Sequence, residues 1–225
     1  MSSTHSNSNY CIIFDMDGVL ADTGPIHFES WVKLGKEIGI EFTKEFFDLT
    51  FGQQSHTITR KLVGTKVDEV QIEKWAEFKE KNYREMVRDR LKPLPGVIKI
   101  LTDLKLKGFK LAVGSSGPAE NVDLLLNSLK IKDLFDVIVT AADVKKGKPE
   151  PDVFSIAANT LNIKSENCLV IEDAPVGIEA ATRAGMLSIA LTTTHNKQEL
   201  TGAQLIIKDL SEINLDDIMS ILNLK

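Results

Sequence analysis

Apolar residues along this chain follow two periodicities. Six short runs, at 11–14, 110–113, 137–139, 168–171, 188–191 and 205–207, are almost continuously apolar and rich in Val, Ile and Leu. Runs of this length without polar alternation suit strands buried on both faces. Between them, stretches at 96–107, 119–129, 151–161 and 176–184 carry apolar residues three and four apart, which predicts helices. Gly108 and Gly185 stand where the first and last of these should stop. Strands alternating with helices predict an α/β fold, a doubly wound parallel sheet of Rossmann-like type.

One interval breaks the alternation. Between residues 20 and 93 no strand pattern occurs, and helical patterns run through 27–38, 44–49, 55–62 and 68–90. Phe28, Trp31, Leu34 and Ile38 recur at helical spacing, and Trp31, Trp75, Phe78 and Met86 read as packing residues. An all-helical insert directly after the first strand predicts a cap, with hinges at the Pro- and Gly-bearing segments 22–25 and 91–96. The expected division is a tail at 1–9, a core built from 10–23 and 94–225, and a helical cap at 24–93. The Ser- and Asn-rich tail is expected to be disordered and lacks the apolar segment of a signal peptide.

Composition narrows the partners. A net charge of -5 with no basic stripe argues against nucleic acid. No apolar run approaches the roughly 18 to 20 residues that span a bilayer. Two cysteines, Cys11 and Cys168, both in predicted strands, give no disulfide framework and fit a reducing cytoplasm. Nothing in the pattern demands an interface, so a monomer is expected.

The candidate chemistry lies at strand ends, where open parallel sheets bind ligands. Asp15 and Asp17 follow the first run in Phe14-Asp15-Met16-Asp17-Gly18-Val19-Leu20, and strand alternation would put both on one face. Ser115 and Ser116 follow the second, Lys148 comes shortly after the third, and Glu172 and Asp173 follow the fourth. Crowded carboxylates repel, and a divalent cation offsets that cost. Magnesium prefers oxygen ligands and binds through carboxylates and substrate phosphate together. Asp15 could then attack a phosphate ester in line, Asp17 could protonate the leaving oxygen and later deprotonate water, and Ser115 could hydrogen-bond phosphate oxygens.

In these segments the chain resembles the haloacid dehalogenase superfamily, specifically its phosphatases and phosphomutases with a small helical cap. The matching stretches are 14–23, 113–116, 147–154 and 170–186, and the likeness covers roughly residues 10–210. It implies a magnesium cofactor, with Asp15 as nucleophile and metal ligand, and Asp17 as general acid/base with its backbone carbonyl on the metal. It further implies Ser115 as the phosphate-binding hydroxyl, Lys148 on the phosphoryl group and the nucleophile, and Asp173 as the remaining ligand with Glu172 beside it. Ser116, Thr23, His27, Gly52 and Gln53 are expected to line the substrate site, and Gln54 and His56 to face it.

Asp17 separates this chain from dehalogenases, which need no leaving-group acid. A phosphonate-cleaving reading would need a cap lysine such as Lys33 or Lys36. The stretches 22–28 and 37–40 are similar to the β-phosphoglucomutase branch, but that mutase carries a lysine before its cap-loop glycine and an arginine after it. Here the loop reads Thr50-Phe51-Gly52-Gln53-Gln54-Ser55-His56, and the nearest arginine is Arg60. The expectation is therefore a magnesium-dependent phosphatase of a small phosphorylated metabolite, with a β-phosphoglucomutase-type mutase as runner-up. A pyrophosphatase, a phosphoglycolate phosphatase and a non-catalytic phosphate-binding regulator rank below these.

Overall fold

The structure, a computed structural model, describes residues 7–88 and 90–224. Six strands, β1 (Cys11–Phe14), β2 (Lys110–Gly114), β3 (Val137–Val139), β4 (Cys168–Glu172), β5 (Leu187–Leu191) and β6 (Leu205–Ile207), pair in parallel in the order β3-β2-β1-β4-β5-β6. This is the doubly wound order, with the switch in direction between β1 and β4. Alternate strand residues feed two apolar layers. Ile12, Phe14, Val113 and Ile171 pack with α5 (Val97–Leu106), α6 (Ala119–Ser128) and α9 (Leu215–Ile221). Cys11, Ile13, Ala112 and Val170 pack with α7 (Asp152–Thr160) and α8 (Pro175–Arg183). Both cysteines are buried and free, filling space as small apolar groups.

The insert after β1 is helical, as expected: α1 (Gly24–Ile38), α2 (Lys44–Thr50), α3 (Ser55–Val63) and α4 (Glu69–Val87). Its core is aromatic, with Trp31 stacked on Phe42 at 5.1 Å between ring centroids and Phe47 and Phe51 packed beside them. Gly24 and Pro25, read from sequence as a hinge, form the first turn of α1, where proline's missing N–H costs nothing. Helix α9 was not anticipated, although Asn214 and Asp217 make a reciprocal capping box ahead of its apolar face. Of the expected tail, residues 1–6 lie outside the described residues. Asn7 is tied down: its carbonyl accepts from the Tyr10 N–H at 2.9 Å and its amide donates to the Lys107 carbonyl at 3.2 Å. Among the described residues, no helix is long and apolar enough to cross a membrane.

Candidate active site

Strand register assembles the acidic cluster. Phe14 pairs with Ile171, so the Asp15 N–H donates to the Ile171 carbonyl at 2.9 Å and Asp15 emerges beside Glu172. The oxygens of Asp15, Glu172 and Asp173 lie within 4.8 Å of one another, all buried. β1 stops at Phe14, so Asp15 and Asp17 sit in the turn beyond the strand, not along it as alternation suggested. That turn needs glycine: Gly18 has φ 78°, and a Cβ there would fall 2.0 Å from Asp173 Oδ2. Gly177, in the first turn of α8, is constrained likewise, since a Cβ would meet Glu172 Oε1 at 1.7 Å.

Lys148 is the counter-charge. Its Nζ donates to Asp15 Oδ1 at 2.5 Å and to Glu172 Oε1 at 2.6 Å, with only 5% of the residue exposed. Desolvation alone would lower the lysine's pKa, but the two carboxylates raise it, so it stays charged. Glu172 Oε2 accepts the N–H groups of Asp173 and Ala174, both at 2.7 Å, which fixes that carboxylate as the anchor of Lys148. Asp173 accepts a short hydrogen bond from the Thr194 hydroxyl.

One lysine does not balance three buried carboxylates. Burial, followed by the charge of Glu172, pushes Asp173 well above the usual carboxylate range. Burial likewise lifts Asp15 to about 7 despite Lys148. A donor set of hard oxygens with excess negative charge is what magnesium or calcium takes, so the residues fit a divalent cation held by Asp15 and Asp173 with Glu172 beside them.

Asp17 is held differently. Its carboxylate accepts from the Thr23 hydroxyl at 2.5 Å and meets His27 Nε2 at 3.2 Å, outside the acidic cluster. Burial would raise its pKa, but the donors on His27 and Thr23 and the positive charge of Lys79 outweigh it and hold the group low. Lys79 Nζ lies 2.7 Å from His27 Nδ1. An ammonium has no lone pair, so Nδ1 accepts and Nε2 carries the proton directed at Asp17. His27 also stacks on Tyr83 at 3.8 Å between centroids.

Core and cap close over a cleft with about 430 Å³ of empty space, its mouth included. Asp15, Asp17, Ser116 and Gly117 line it from the core, and Trp31, Gly52, Gln53 and Ser55 line it from the cap. Ser115 is buried beneath, accepting the Gly117 N–H at 3.0 Å, while the buried Ser116 hydroxyl has no protein partner.

The pattern of the haloacid dehalogenase-like hydrolase family matches residues 12–191. The chain belongs to that family. It is 31% identical over 212 residues to validoxylamine A 7'-phosphate phosphatase of Streptomyces hygroscopicus subsp. limoneus, covering 89% of this chain and 94% of that one. It is 32% identical over 213 residues to β-phosphoglucomutase of Bacillus subtilis, covering 91% and 92%. Among solved structures, β-phosphoglucomutase from Clostridium difficile superposes with a TM-score of 0.86 at 29% identity, covering 95% and 97%.

Within this haloacid dehalogenase-like hydrolase, sequence reasoning overlooked Lys79, Glu80 and Tyr83. The signal was present: Ile72, Ala76, Lys79, Tyr83 and Val87 share the buried stripe of α4, and a lysine on such a stripe needs a partner. Lys33 and Lys36 are exposed, and the cap lysine that reaches the cleft is Lys79. His56 pairs with Glu69 on an exposed face instead of facing the cleft. Gln53 lines it but accepts from Lys61 at 2.6 Å, and Gln54 packs against Gly147.

Proposed function

We propose that this protein is a magnesium-dependent phosphomonoester hydrolase of a small phosphorylated metabolite, of which sugar phosphates are the first class to test. The family and relatives named for a phosphatase and a phosphomutase support phosphoester chemistry. The observation that carries the finer reading is the pairing of Asp15 with Lys148 beside a second, separately held carboxylate, Asp17, on the same cleft.

Asp15 attacks phosphorus as the ester P–O bond breaks, leaving the phosphoryl group on its carboxylate. Held low in the free protein, Asp17 takes up a proton as the substrate dianion settles beside it, and the departing alkoxide takes that proton. Water then attacks phosphorus, gives its proton to Asp17 and releases Asp15. Lys148 keeps Asp15 oriented and offers positive charge to the phosphoryl oxygens, and the unpartnered Ser116 hydroxyl supplies a donor to them. Asp15 and Asp173 would hold magnesium, whose charge offsets that of the substrate dianion and whose coordination orients it. The apolar cap residues Trp31, Phe51 and Ile58 keep bulk water from the cleft.

A phosphomutase is the second reading, favoured by the likeness to two β-phosphoglucomutases. Against it, Arg60 is spent on the carbonyls of Gly64 and Val67, at 2.9 and 2.6 Å, and on Glu69. The test is a screen of phosphorylated metabolites with magnesium. Phosphate release that disappears in Asp15→Asn is expected. Bisphosphate-dependent isomerisation of a sugar phosphate without phosphate release would replace the hydrolase by the mutase.

A further inference from the structure

The Asp48 carbonyl, in the last turn of α2, faces His195 Nε2 of the core at 3.1 Å. A carbonyl only accepts, so Nε2 carries the proton of this bond. Among the described residues, no other hydrogen bond and no ion pair joins α2 to the core. A helix leaves its last four carbonyls without partners of its own, and that end is partly negative. Here the Phe51 N–H takes the Phe47 carbonyl at 2.8 Å and the Gln53 N–H takes the Thr50 carbonyl at 3.2 Å. For Asp48 the donor comes from the core. Around this bond α1 and α2 stand off from the core across a second cavity with about 930 Å³ of empty space, its mouth included. Phe28, Phe47, Phe51 and Thr193 line it together with His195.

The core end of the bridge is rooted beside the acidic cluster. Residues 192–195 directly follow β5. The Thr193 hydroxyl donates to the Gly18 carbonyl at 2.6 Å, and the Thr194 hydroxyl donates to Asp173. His195 Nδ1 lies 2.9 Å from the Thr194 hydroxyl and 3.1 Å from the Asp173 carbonyl. The ring is thus tied to the same backbone that places Asp17 and Asp173.

The cap end carries part of the cleft wall. Phe51, Gly52 and Gln53 leave α2 directly and line the cleft. Gly52 has φ 88°, and a Cβ there would fall 2.9 Å from the Ala174 Cβ, so the loop sits on the core next to Asp173. Phe51 lines both the cleft and the second cavity and forms the wall between them. A helix of seven residues, such as α2, does not hold such a loop in place without outside contacts.

We propose that His195 is a positioning residue: its bond to the Asp48 carbonyl clasps α2 to the core and keeps Phe51, Gly52 and Gln53 against the substrate. The clasp acts on substrate binding, because the loop supplies cleft wall while Asp15, Asp17 and Lys148 come from elsewhere. Its kinetic consequence rests on the hydrolase reading above, whereas the clasp itself does not.

The test compares full-length wild type with His195→Ala, His195→Asn and His195→Gln, at a half-buried position where all three should fold. The Gln amide nitrogen can stand where Nε2 stands and donate to Asp48, and the Asn amide nitrogen matches Nδ1 instead. Hydrogen–deuterium exchange of the free protein is read on the peptide spanning residues 48–54. His195→Ala and His195→Asn should speed exchange there by about three- to tenfold, the scale of one lost hydrogen bond, and His195→Gln by less than about twofold. The peptide carrying α4 should not change. With a phosphomonoester that the wild type hydrolyses, KM should rise by about three- to tenfold in His195→Ala and His195→Asn, with kcat within about twofold. The proposal is overturned by unchanged exchange in His195→Ala, by a His195→Gln that exchanges as fast as His195→Ala, by protection kept in His195→Asn, or by a loss confined to kcat. If no phosphomonoester is hydrolysed, the hydrolase reading fails, and exchange in the free protein still decides the clasp.

Discussion

On the core side of the cleft, Asp15, Glu172 and Asp173 stand where two paired strands end, and backbone hydrogen bonds decide their positions. On the cap side, His27, Lys79 and Glu80 stand on helices packed together by aromatic side chains, and only side-chain contacts decide theirs. The first arrangement follows from strand order and register, so the residues converge wherever the parallel sheet forms. The second depends on how α1 and α4 meet, and it can be rebuilt without disturbing the sheet. Chemistry built on the core side and selectivity built on the cap side is the division this difference suggests.

Substitutions can break that division in order of severity. Asp15→Asn should lower kcat/KM by at least about a thousandfold while leaving thermal unfolding near the wild type, because it removes the attacking group and keeps its shape. Near-normal phosphate release would take the nucleophile off the core side. Lys148→Met strips the partner from the buried Glu172 and should cost roughly 3–5 kcal/mol in urea unfolding, as breaking a buried pair does. A loss under about 1 kcal/mol, the scale of exposed pairs, would mean that the cluster is not as enclosed as its geometry indicates.

His27→Ala reaches the seam between the two sides. It should cut kcat by about ten- to a hundredfold with a smaller change in KM, because Asp17 loses the donor that orients it. A change confined to KM would move His27 to substrate contact alone.

Acid sharpens the cap side. Burial alone would raise the Glu80 pKa, but Lys79, His27 and Ser55 bring it below its ordinary 4.5. A carboxyl lowered on folding contributes stability that is complete above its unfolded value and fades as pH falls through the folded one. The Tm advantage of wild type over Glu80→Gln should therefore be largest above about pH 5 and shrink below it. An advantage that grows with acid would reverse the sign. The smallest effect is reserved for Arg60→Ala, whose exposed contact with Glu69 should leave substrate preference unchanged and cost under about 1 kcal/mol.

How much of this was legible in the sequence follows the same line. Asp15, Glu172 and Asp173 could be placed together because short apolar runs announce strands and these residues stand at strand ends, while Lys148 follows the third strand by a longer loop. The sheet and the helical insert were legible for the same reason, through periodicity. What alternation misjudged was the end of β1: Met16 and Gly18 turn the chain, and the turn, not the pleat, brings Asp17 to the cleft. Lys79 and Glu80 were missed because adjacent charged residues on an amphipathic helix ordinarily face water. The spacing of Ile72, Ala76 and Tyr83 carried a signal for Lys79, whereas the burial of Glu80 shows only in the cap's packing. Helix α9 escaped because seven residues carry too little periodicity to stand out, despite the Asn214 cap.

The central claim is that Asp15 carries the phosphoryl group. Acid quench of the wild type during turnover of a phosphomonoester, followed by peptide mass spectrometry, tests it most directly. The account predicts a phosphoryl group on the peptide containing Asp15, and none on the same peptide of Asp15→Asn. A phosphoryl group on any other residue, or unimpaired turnover in Asp15→Asn, would contradict it.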